Sequence, residues 1–504
     1  METESHSDVT PYDEVAYPCR AHQQTHPDLL ATLGRLFGMQ PAPVDHCSVL
    51  EIGCGDGTNL IPMAYSLPGS RFLGFDLAGL PVAQGCSVVQ KLGLANVTLS
   101  RQDLMGFALD SGPFDYIIAH GFYSWVPLQL RDRVLEACRA TLSPHGIAYI
   151  SYNCYPGGYL RRMLREMMRF HVQRAPDPAT KIGQAKALLG FLADAPVRTD
   201  EYHQILKKEW AQIQQRDAGG FYHDDLAEVN QPVYFHQFVE HAGRHGLQFL
   251  AEAEYFMMQD RDLTQEARQA LEGLESDRLL REQYLDFIRF RRFRQTLLCR
   301  EEVPLRSGPD PAVVPHLRAA SSARVQAAET GADPAAPVNY CNESGGVMTC
   351  GDAASKAVLK SLTEAWPHSL VFRDLAERVG EAIPAASPQE SESLTVRVLL
   401  SGYGLGMVEL RTFEPLLAFD AGCRPVCSPV ARLQLSTRDV VTNLRHASVG
   451  FQGETMRRLV PLMDGTLDRA ELAVRLRQIN PDAESIDLIL DELIRLALLL
   501  PSAG

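Results

Sequence analysis

The stretch that most constrains the fold is "VLEIGCGDGTNL" at residues 49–60, where an apolar run meets glycines at alternate positions. The apolar run predicts a buried strand, and the residues after the glycines predict the start of a helix. Glycine has no Cβ atom, so its backbone turns where other residues would clash and can approach a ligand closely. The stretch therefore predicts a strand–turn–helix unit whose turn holds a ligand against bare backbone.

Strand and helix patterns alternate from residue 26 to about residue 152. Short β-branched or aromatic runs predict five strands, namely "SVLEIG", "RFLGFD", "VTLSRQD", "YIIAHG" and "IAYISYN". Helix-periodic segments accompany them, among them "DLLATLGRLFGM" and "LQLRDRVLEACRATL". Such alternation is typical of an α/β fold, in which a parallel sheet carries helices on both faces.

Side chains that suit a nucleoside stand at the ends of four of these predicted strands. Glu51 ends the first strand, Asp76 the second, Asp103 the third and His120 the fourth. Parallel sheets bind ligands at the carboxyl ends of their strands, and a carboxylate at the second strand suits ribose hydroxyls. Asp103 is positioned to receive an exocyclic adenine amine. A role as turn residue or helix cap explains each acid alone equally well, but the ordered series favours a nucleoside site.

The glycine spacing indicates whether the ligand carries phosphate. Dinucleotide-binding folds use G-x-G-x-x-G and aim a helix N-terminus at a pyrophosphate. Here the spacing is G-x-G-x-G, and Glu51 lies two residues upstream. A nucleoside with an amino-acid tail and no phosphate fits this tighter turn. The glycine pattern alone is a weak signal, so NAD stays open as the alternative cofactor.

The arrangement resembles that of class I S-adenosylmethionine-dependent methyltransferases. The resemblance implies a Rossmann-like seven-stranded sheet with S-adenosylmethionine as cofactor. It also implies that Asp76 holds the ribose, that Asp103 contacts the adenine, and that Glu51 orients the methionine end or the glycine turn. The full set of implied cofactor-binding residues is Tyr17, Glu51, Gly53, Cys54, Gly55, Asp76, Leu77, Asp103, Leu104 and His120.

Further stretches are similar to a narrower group, the bacterial methyltransferases that carry a methyltransferase regulatory domain. That group includes rickettsial-type protein lysine methyltransferases acting on outer-membrane proteins. The catalytic part of the likeness lies in "YDEVAYPCRAHQQTHPD", "GTNLIPMA", "AHGFYSWVP" and "ISYNCYPGG". The regulatory part lies in "NQPVYFHQFVEHAGRHGLQFLAEAEYF" and "RFRQTLLCR", and the C-terminal part in "KSLTEAWPHSLVF" and "LMDGTLDRAEL". The likeness covers residues 12–300 well and 340–500 loosely, and it specifies the family better than the substrate.

Methyl transfer from a sulfonium requires groups that align and desolvate the acceptor. A free lysine amine has a pKa near ~10.4, so presenting it neutral at pH 7 costs about 4–5 kcal/mol. Burial, the nearby sulfonium and hydrogen-bond acceptors lower this cost. Candidate catalytic residues are Tyr152, Asn153 and Tyr155 of "SYNCYPGG" together with His120.

The loop "HGFYSWVP" supplies Tyr123 and Trp125 as candidate substrate-binding residues, because aromatic faces suit a cationic amine or sulfonium. Each aromatic residue of the two loops has a competing interpretation. Core packing explains the tyrosines and the tryptophan about as well. A hydrogen-bonded structural role likewise explains His120.

The sequence predicts three regions beyond the methyltransferase domain, which occupies 1–156 with its core from about 26. The first of them is a mostly helical regulatory or lid domain at 157–300. A linker rich in Pro, Ala, Ser and Gly follows at 301–345, and a winged-helix-like α+β domain occupies 346–504. The segment "REQYLDFIRFRRFRQTLLCR" predicts a basic helix whose arginines are solvated or paired with carboxylates.

Composition excludes several functional classes. A net charge of −14 argues against nucleic-acid partners, and no apolar run is long enough to span a bilayer. The acidic N-terminus is unlike a signal peptide, and eleven scattered cysteines favour free thiols, so a cytoplasmic location is expected. His241 and His245 are four residues apart with His223 and His236 nearby, but no H-E-x-x-H glutamate and no cysteine is in range, so no metal is predicted.

The favoured function is N-methylation of a lysine or another amine on a protein or peptide. Two alternatives stay open. One is a methyltransferase for a small natural-product amine or hydroxyl, and the other is a non-catalytic scaffold that has retained the fold. The sequence also leaves a homodimer open.

Overall fold

The structure is a computed structural model that describes residues 10–195, 200–274, 277–326, 336–343 and 345–501. In the part up to residue 300 the strands β1 to β7 are Ser48–Ile52, Arg71–Asp76, Val97–Arg101, Phe114–Ala119, Leu142–Asn153, Leu247–Glu252 and Phe293–Arg300. The helices α1 to α6 are Pro11–Glu14, Pro27–Leu36, Leu60–Ser66, Gly79–Leu92, Leu128–Thr141 and Gly158–Val172. The helices α7 to α12 are Pro178–Asp194, Glu201–Gln214, Ala218–Asp225, Phe235–Arg244, Gln265–Glu272 and Arg278–Arg289.

All seven of these strands form one sheet in the order β3-β2-β1-β4-β5-β7-β6. The first five strands are parallel, and β7 runs antiparallel to both of its neighbours. The chain moves from β1 out to β3 and then returns to β4 on the other side of β1. This reversal leaves a crevice outside the carboxyl ends of β1 and β4, where open α/β sheets bind their ligands.

The strands β7 and β6 at one side of the sheet come from the region predicted to be mostly helical. The basic helix predicted over "REQYLDFIRFRRFRQTLLCR" is wrong in its second half, because α12 ends at Arg289 and Phe293–Arg300 is the strand β7. This strand is inserted between β5 and β6 and is nearly all buried, so pairing on both sides overrides the helical pattern. The predicted pairing of its arginines is confirmed: buried Arg294 binds Asp286 at 2.8 Å.

The helices α6 to α9 form an insertion between β5 and α10 with an apolar core of its own. Its buried centre includes Leu164, Met168, Leu189 and Phe221. The methionine-rich face of α6 therefore packs inward, as the apolar spacing of "YLRRMLREMMRFHV" predicts. The insertion covers the carboxyl ends of the parallel strands, which is where a ligand site is expected.

The part beyond residue 300 contains the strands β8 to β17 and the helices α13 to α19. The strands are Arg318–Ala320, Arg324–Val325, Val338–Cys341, Val347–Cys350, Leu370–Val371, Glu409–Arg411, Val426–Cys427, Val440–Thr442, Ser448–Gly450 and Leu499–Leu500. The helices are Ala353–Ala365, Phe372–Ala382, Pro388–Gly404, Pro429–Leu435, Glu454–Leu459, Arg469–Ile479 and Ile486–Arg495. Short 3-10 helices lie at Gln23–Thr25, Val44–His46, Leu104–Gly106, Tyr123–Trp125, Tyr255–Met258, Pro311–His316 and Val460–Leu462.

The segment expected to be a loose linker is ordered over much of its length. The strand β8 is the central strand of a three-stranded sheet, between β12 and β13. Val314 and Leu317 are buried in the main core beside the helices α13 to α15. Part of this segment, 327–335 and 344, lies outside the described residues, and the domain limits at 156, 300 and 345 stay predictions.

Along the described parts of the chain, no helix combines the length and the apolar character that crossing a bilayer requires.

Candidate active site

The glycine turn joins β1 to α3 through a backbone that side chains would disturb. Gly53 and Gly55 adopt φ angles of 75° and 54°, in the left-handed region that favours glycine. A Cβ atom at Gly55 would lie 3.1 Å from the Sγ atom of Cys19, and one at Gly53 would lie 3.2 Å from the ring of Phe122. The turn therefore presents bare backbone to the crevice, as predicted.

Asp76 ties the end of β2 to this turn. Its Oδ2 accepts a hydrogen bond from the backbone N–H of Gly55 at 2.9 Å, and its Oδ1 accepts one from Ala78 at 2.8 Å. Burial raises the pKa of Asp76, while these backbone donors work in the opposite direction. Each carboxylate oxygen has a second lone pair, so Asp76 can hold the turn and still accept hydroxyl groups from a ligand.

Glu51, at the end of β1, is buried with part of its hydrogen-bonding capacity unused. Its Oε1 accepts from the side-chain amide of Asn59 at 2.8 Å, but Oε2 has no hydrogen-bond partner among the described residues. Burial raises the pKa of Glu51 to about 8. An unpaired buried carboxyl oxygen is costly, so it indicates a place where a ligand donor completes the site.

A cavity of about 1050 Å³ joins these groups. The carboxyl ends of the parallel strands form one wall, and the chain from Thr10 to Arg20 together with helices of the insertion forms the other. Every predicted cofactor residue lines it: Tyr17, Glu51, Gly53, Cys54, Gly55, Asp76, Leu77, Asp103, Leu104 and His120. Trp125 and Asn153 line it as well. The structure thus brings together residues that are spread over more than 130 positions of the sequence.

Asp103 and Leu104 lie at the end of β3. Asp103 is exposed to the cavity, and its Oδ1 caps the short helix Leu104–Gly106 by accepting from the N–H of Met105 at 3.0 Å. Leu104 is buried beneath it. The cap fixes the carboxylate in place, so the helix-cap role and the ligand role are compatible at this residue.

His120, at the end of β4, is held by a chain of side chains. Its Nδ1 lies 2.9 Å from the hydroxyl of Tyr149, which donates to Oε1 of Gln295 at 2.6 Å. The Nε2 of Gln295 donates to Glu254 at 2.9 Å. The ring of His22 lies against that of His120, with 3.7 Å between centroids and the two planes tilted by 31°. Burial holds the pKa of His120 well below its ordinary value and lowers that of His22 to about 4, so both rings are neutral at pH 7.

Three predicted acceptor-site residues lie outside the main cavity, namely Tyr123, Tyr152 and Tyr155. Tyr152 is fully buried, stacks on Phe238 and shares a hydrogen bond with Thr296, because alternate residues of β5 face opposite sides of the sheet. Tyr123 is buried too, with its hydroxyl 2.7 Å from Nδ1 of His241. Both fit the core-packing interpretation, and neither side chain belongs to the wall of the cavity.

Tyr155 lies outside the main cavity, in a smaller pocket next to it. Its ring stacks on Tyr159 with 4.0 Å between centroids, and Tyr234 lies against the pair. Asn153 alone of the "SYNCYPGG" candidates lines the main cavity, where its amide donates to Oδ1 of Asn230 at 2.9 Å. Of the four candidate catalytic residues, His120 and Asn153 therefore line the main cavity.

The sequence reasoning missed several residues of the cavity wall. Tyr12, Asp13 and His22 belong to "YDEVAYPCRAHQQTHPD", a stretch that carried the family resemblance and could have pointed to them. Arg161, Glu209 and Asp224 come from the helical insertion, where charged residues look like an ordinary solvated face. Only the tertiary fold turns that face toward the cavity.

Each of the four histidines of the middle region has a hydrogen-bond partner. His223 bonds to the carbonyl of Val15 at 2.7 Å, and His236 to Gln283 at 2.9 Å. The Nε2 atoms of His241 and His245 lie 2.7 and 3.4 Å from Oδ1 of Asp132. Histidine and aspartate are residue types that bind metal ions, and the ligand atoms of these three residues lie close together. Hydrogen bonds to Tyr123 and Asp132 account for both nitrogens of His241.

Three segments match models of known protein families. Residues 49–146 match a methyltransferase domain, 217–300 a "Predicted methyltransferase regulatory domain" and 424–484 the "PKMT, C-terminal winged helix domain". Two uncharacterized proteins of Rickettsia prowazekii (strain Madrid E) are related in sequence. One is 37% identical over 300 residues, which are 59% of this chain and 54% of the relative, so the chain spans about half the length of that relative. The other is 38% identical over 232 residues, which are 46% of this chain and 93% of the relative.

Among solved structures, PKMT2 from Rickettsia typhi in complex with AdoHcy matches with a TM-score of 0.86 and 26% identity, over 96% of this chain and 99% of that chain. This chain belongs to the class I S-adenosylmethionine-dependent methyltransferases that carry a methyltransferase regulatory domain. Within that class it is similar to PKMT2 over nearly its whole length and shares the PKMT winged-helix domain. The predicted fold, enzyme class and cofactor are thereby confirmed.

The residues of the cavity fit S-adenosylmethionine. The unpaired Oε2 of Glu51 suits a cationic donor, and the glycine turn leaves room that a Cβ atom would fill. Asp76 and Asp103 supply carboxylates at the ends of β2 and β3. We expect Glu51, Gly53 and Gly55 to hold the amino-acid end, Asp76 the ribose and Asp103 the adenine.

Proposed function

We propose that this chain N-methylates lysine side chains of a protein or peptide. The observation that carries the proposal is the similarity to PKMT2 over 96% of the chain, including the winged-helix domain. PKMT abbreviates protein lysine methyltransferase, and a likeness that extends well beyond the cofactor-binding sheet favours a shared type of acceptor.

The shape and charge of the cavity support an amine acceptor. Carboxylates outnumber arginines around the cavity as a whole. The wall on the insertion carries both signs of charge, and its Asp224 and Glu209 are bound to Arg161 and Arg292 at 3.6 and 2.7 Å. The excess of carboxylates over the whole cavity attracts a lysine ammonium.

The reaction requires the amine to lose its charge before it attacks. When S-adenosylmethionine is bound, its sulfonium supplies an electrophilic methyl group. His120 and Asn153 lie at the ends of neighbouring strands β4 and β5 and line the same cavity, so both can contact the acceptor nitrogen. Their neutral side chains orient the nitrogen, and burial in the cavity lowers the pKa of the amine.

The test is incubation of the full chain with methyl-labelled S-adenosylmethionine and host lysate, followed by separation of protein from solvent-soluble material. We expect label in protein, recovered as methyl-lysine after hydrolysis. Asp76→Ala should lower cofactor affinity by at least about tenfold, since it removes two hydrogen bonds to the backbone as well as the carboxylate that we expect to bind the ribose. The exposed Asp110→Ala variant is the matched control. Label confined to small molecules would contradict the lysine proposal and favour a natural-product acceptor.

We further propose that the enzyme acts in the cytoplasm. All eleven cysteines are free thiols, which suits a reducing compartment. Recovery of all eleven cysteines in alkylated form from cells lysed directly into a denaturing alkylating buffer would support this location, and disulfide-linked protein would contradict it.

A further inference from the structure

The chain of hydrogen bonds behind His120 has a defined direction. Glu254 as a carboxylate only accepts hydrogen bonds, so Gln295 must turn its NH₂ group toward Glu254. The amide oxygen of Gln295 then faces Tyr149 and accepts the proton of its hydroxyl. Because the Tyr149 hydroxyl donates its one hydrogen to Gln295, its oxygen can only accept a hydrogen bond from His120. The Nδ1 atom of His120 must therefore carry a hydrogen.

This direction decides which imidazole nitrogen keeps a lone pair. A neutral ring with a hydrogen on Nδ1 has its lone pair on Nε2. The two ring nitrogens point away from each other, and Nδ1 faces the fully buried Tyr149. Nε2 therefore lies on the other side of the ring, and His120 is part of the cavity wall.

We propose that Tyr149, Gln295 and Glu254 are positioning residues that lock His120 as the Nδ1–H tautomer, so that Nε2 accepts a hydrogen bond from the acceptor amine. This catalytic role of His120 rests on the proposed function. The adjacent His22 is also neutral, so it adds no charge that would compete with the approaching amine. The phenyl ring of Phe293 closes a further side of His120, with 6.1 Å between centroids.

The chemical step balances with the groups named. A hydrogen bond from the amine to Nε2 aims the nitrogen lone pair into the cavity. The nitrogen then forms a bond to the methyl carbon while the carbon–sulfur bond breaks and its electron pair stays on sulfur. The methylated nitrogen keeps its hydrogens and takes over the positive charge that leaves the sulfur, so the product departs as a methylammonium ion and His120 stays neutral.

The test is nitrogen NMR of the full chain labelled with ¹⁵N-histidine, without ligand and at pH 8. A His120→Gln variant serves only to assign the signal. We expect wild type to show a protonated Nδ1 and an unprotonated Nε2 at His120. Tyr149→Phe should lose this single-tautomer signature, and so should Gln295→Met, which keeps the chain length and serves if the tyrosine variant does not fold.

The matched control is Tyr152→Phe, which removes a hydroxyl from an equally buried tyrosine of β5 whose hydrogen-bond partner among the described residues is Thr296. We expect Tyr149→Phe to lower kcat for labelling of lysate protein at least about tenfold, with cofactor affinity unchanged, and Tyr152→Phe to change neither measurably. An Nε2–H tautomer in wild type, or an unchanged tautomer and rate in Tyr149→Phe, would overturn the inference.

The two proposals fail in different ways. A locked tautomer in a protein that labels no lysine would remove the proposed function and leave the tautomer lock standing. Lysine labelling by a protein whose His120 is not locked would remove the inference alone.

Discussion

Glu51 shows how the fold can keep a carboxyl group in an uncommon state. It lies at the end of a fully buried strand, one of its oxygens accepts from Asn59, and the other is buried without a partner among the described residues. Burial raises its pKa to about 8, so at pH 7 the side chain is mostly protonated. A cationic ligand group reverses this balance, because it stabilises the ionised form.

We therefore expect binding of S-adenosylmethionine at pH 7 to release about one proton. Calorimetry in buffers of different ionisation enthalpy measures this number directly. Affinity should rise as the pH approaches 8 and then level off, since above that pH Glu51 is already ionised and binding no longer has to remove its proton. Glu51→Gln should abolish both effects, and a pH-independent enthalpy in wild type would contradict the assignment.

At the scale of elements, the site depends on how a strand passes into a turn. The turn after β1 contains Gly53, Gly55 and Gly57, all with positive φ angles, and its backbone is fastened to the next strand through Asp76. The periodic and apolar patterns of the sequence were sufficient to predict β1 to β5 and the helices α2, α3 and α5. The same patterns misassigned β7, because pairing with β5 and β6 decided its conformation.

Substitutions at two glycines distinguish the effect of backbone strain on stability from an effect on cofactor binding. Gly55→Ala and Gly93→Ala each place alanine at a positive φ angle, 54° and 64°, and should each lower the free energy of unfolding by about 1–2 kcal/mol. A Cβ atom at Gly93 meets no atom of the described residues within 4 Å, whereas one at Gly55 comes within 3.1 Å of Cys19. We expect only Gly55→Ala to weaken cofactor binding. Equal cofactor affinity for the two variants in calorimetric titration would show that the turn does not contact the ligand.

At the scale of the whole molecule, the C-terminal region contacts the glycine turn of the cofactor site. Arg438, between α16 and β15, binds Asp56 of the glycine turn at 3.0 Å and Thr58 at 2.9 Å. His446 lies 3.0 Å from Oδ1 of Asn59, whose amide holds Glu51. These contacts join residues almost 400 positions apart, so the winged-helix region and the cofactor turn form one unit.

We expect Arg438→Met to weaken binding of S-adenosylmethionine by about 3- to 10-fold, because a charge-assisted bond to Asp56 that steadies the turn is lost. The matched control is Arg457→Met in the same region, which breaks an exposed pair with Asp439 at 3.1 Å. Calorimetric titration of both variants measures the effect. Equal affinities would show that the C-terminal region does not influence the cofactor site.

The sequence alone determined the local chemistry of this protein. Alternating patterns predicted the parallel strands, the glycine spacing predicted the turn, and the strand-end positions of Glu51, Asp76, Asp103 and His120 predicted the cofactor wall. These features are readable because they depend on residues close together in the chain or on a repeated topological rule.

Only the tertiary structure decided what surrounds that wall. It buried Tyr123 and Tyr152 in the core, turned the insertion toward the cavity, and joined His120 to Glu254 through Tyr149 of β5 and Gln295 of β7. It also brought Arg438 against Asp56. The physical reason is that burial, hydrogen-bond direction and charge pairing between distant segments depend on packing, and no spacing within a single segment records them.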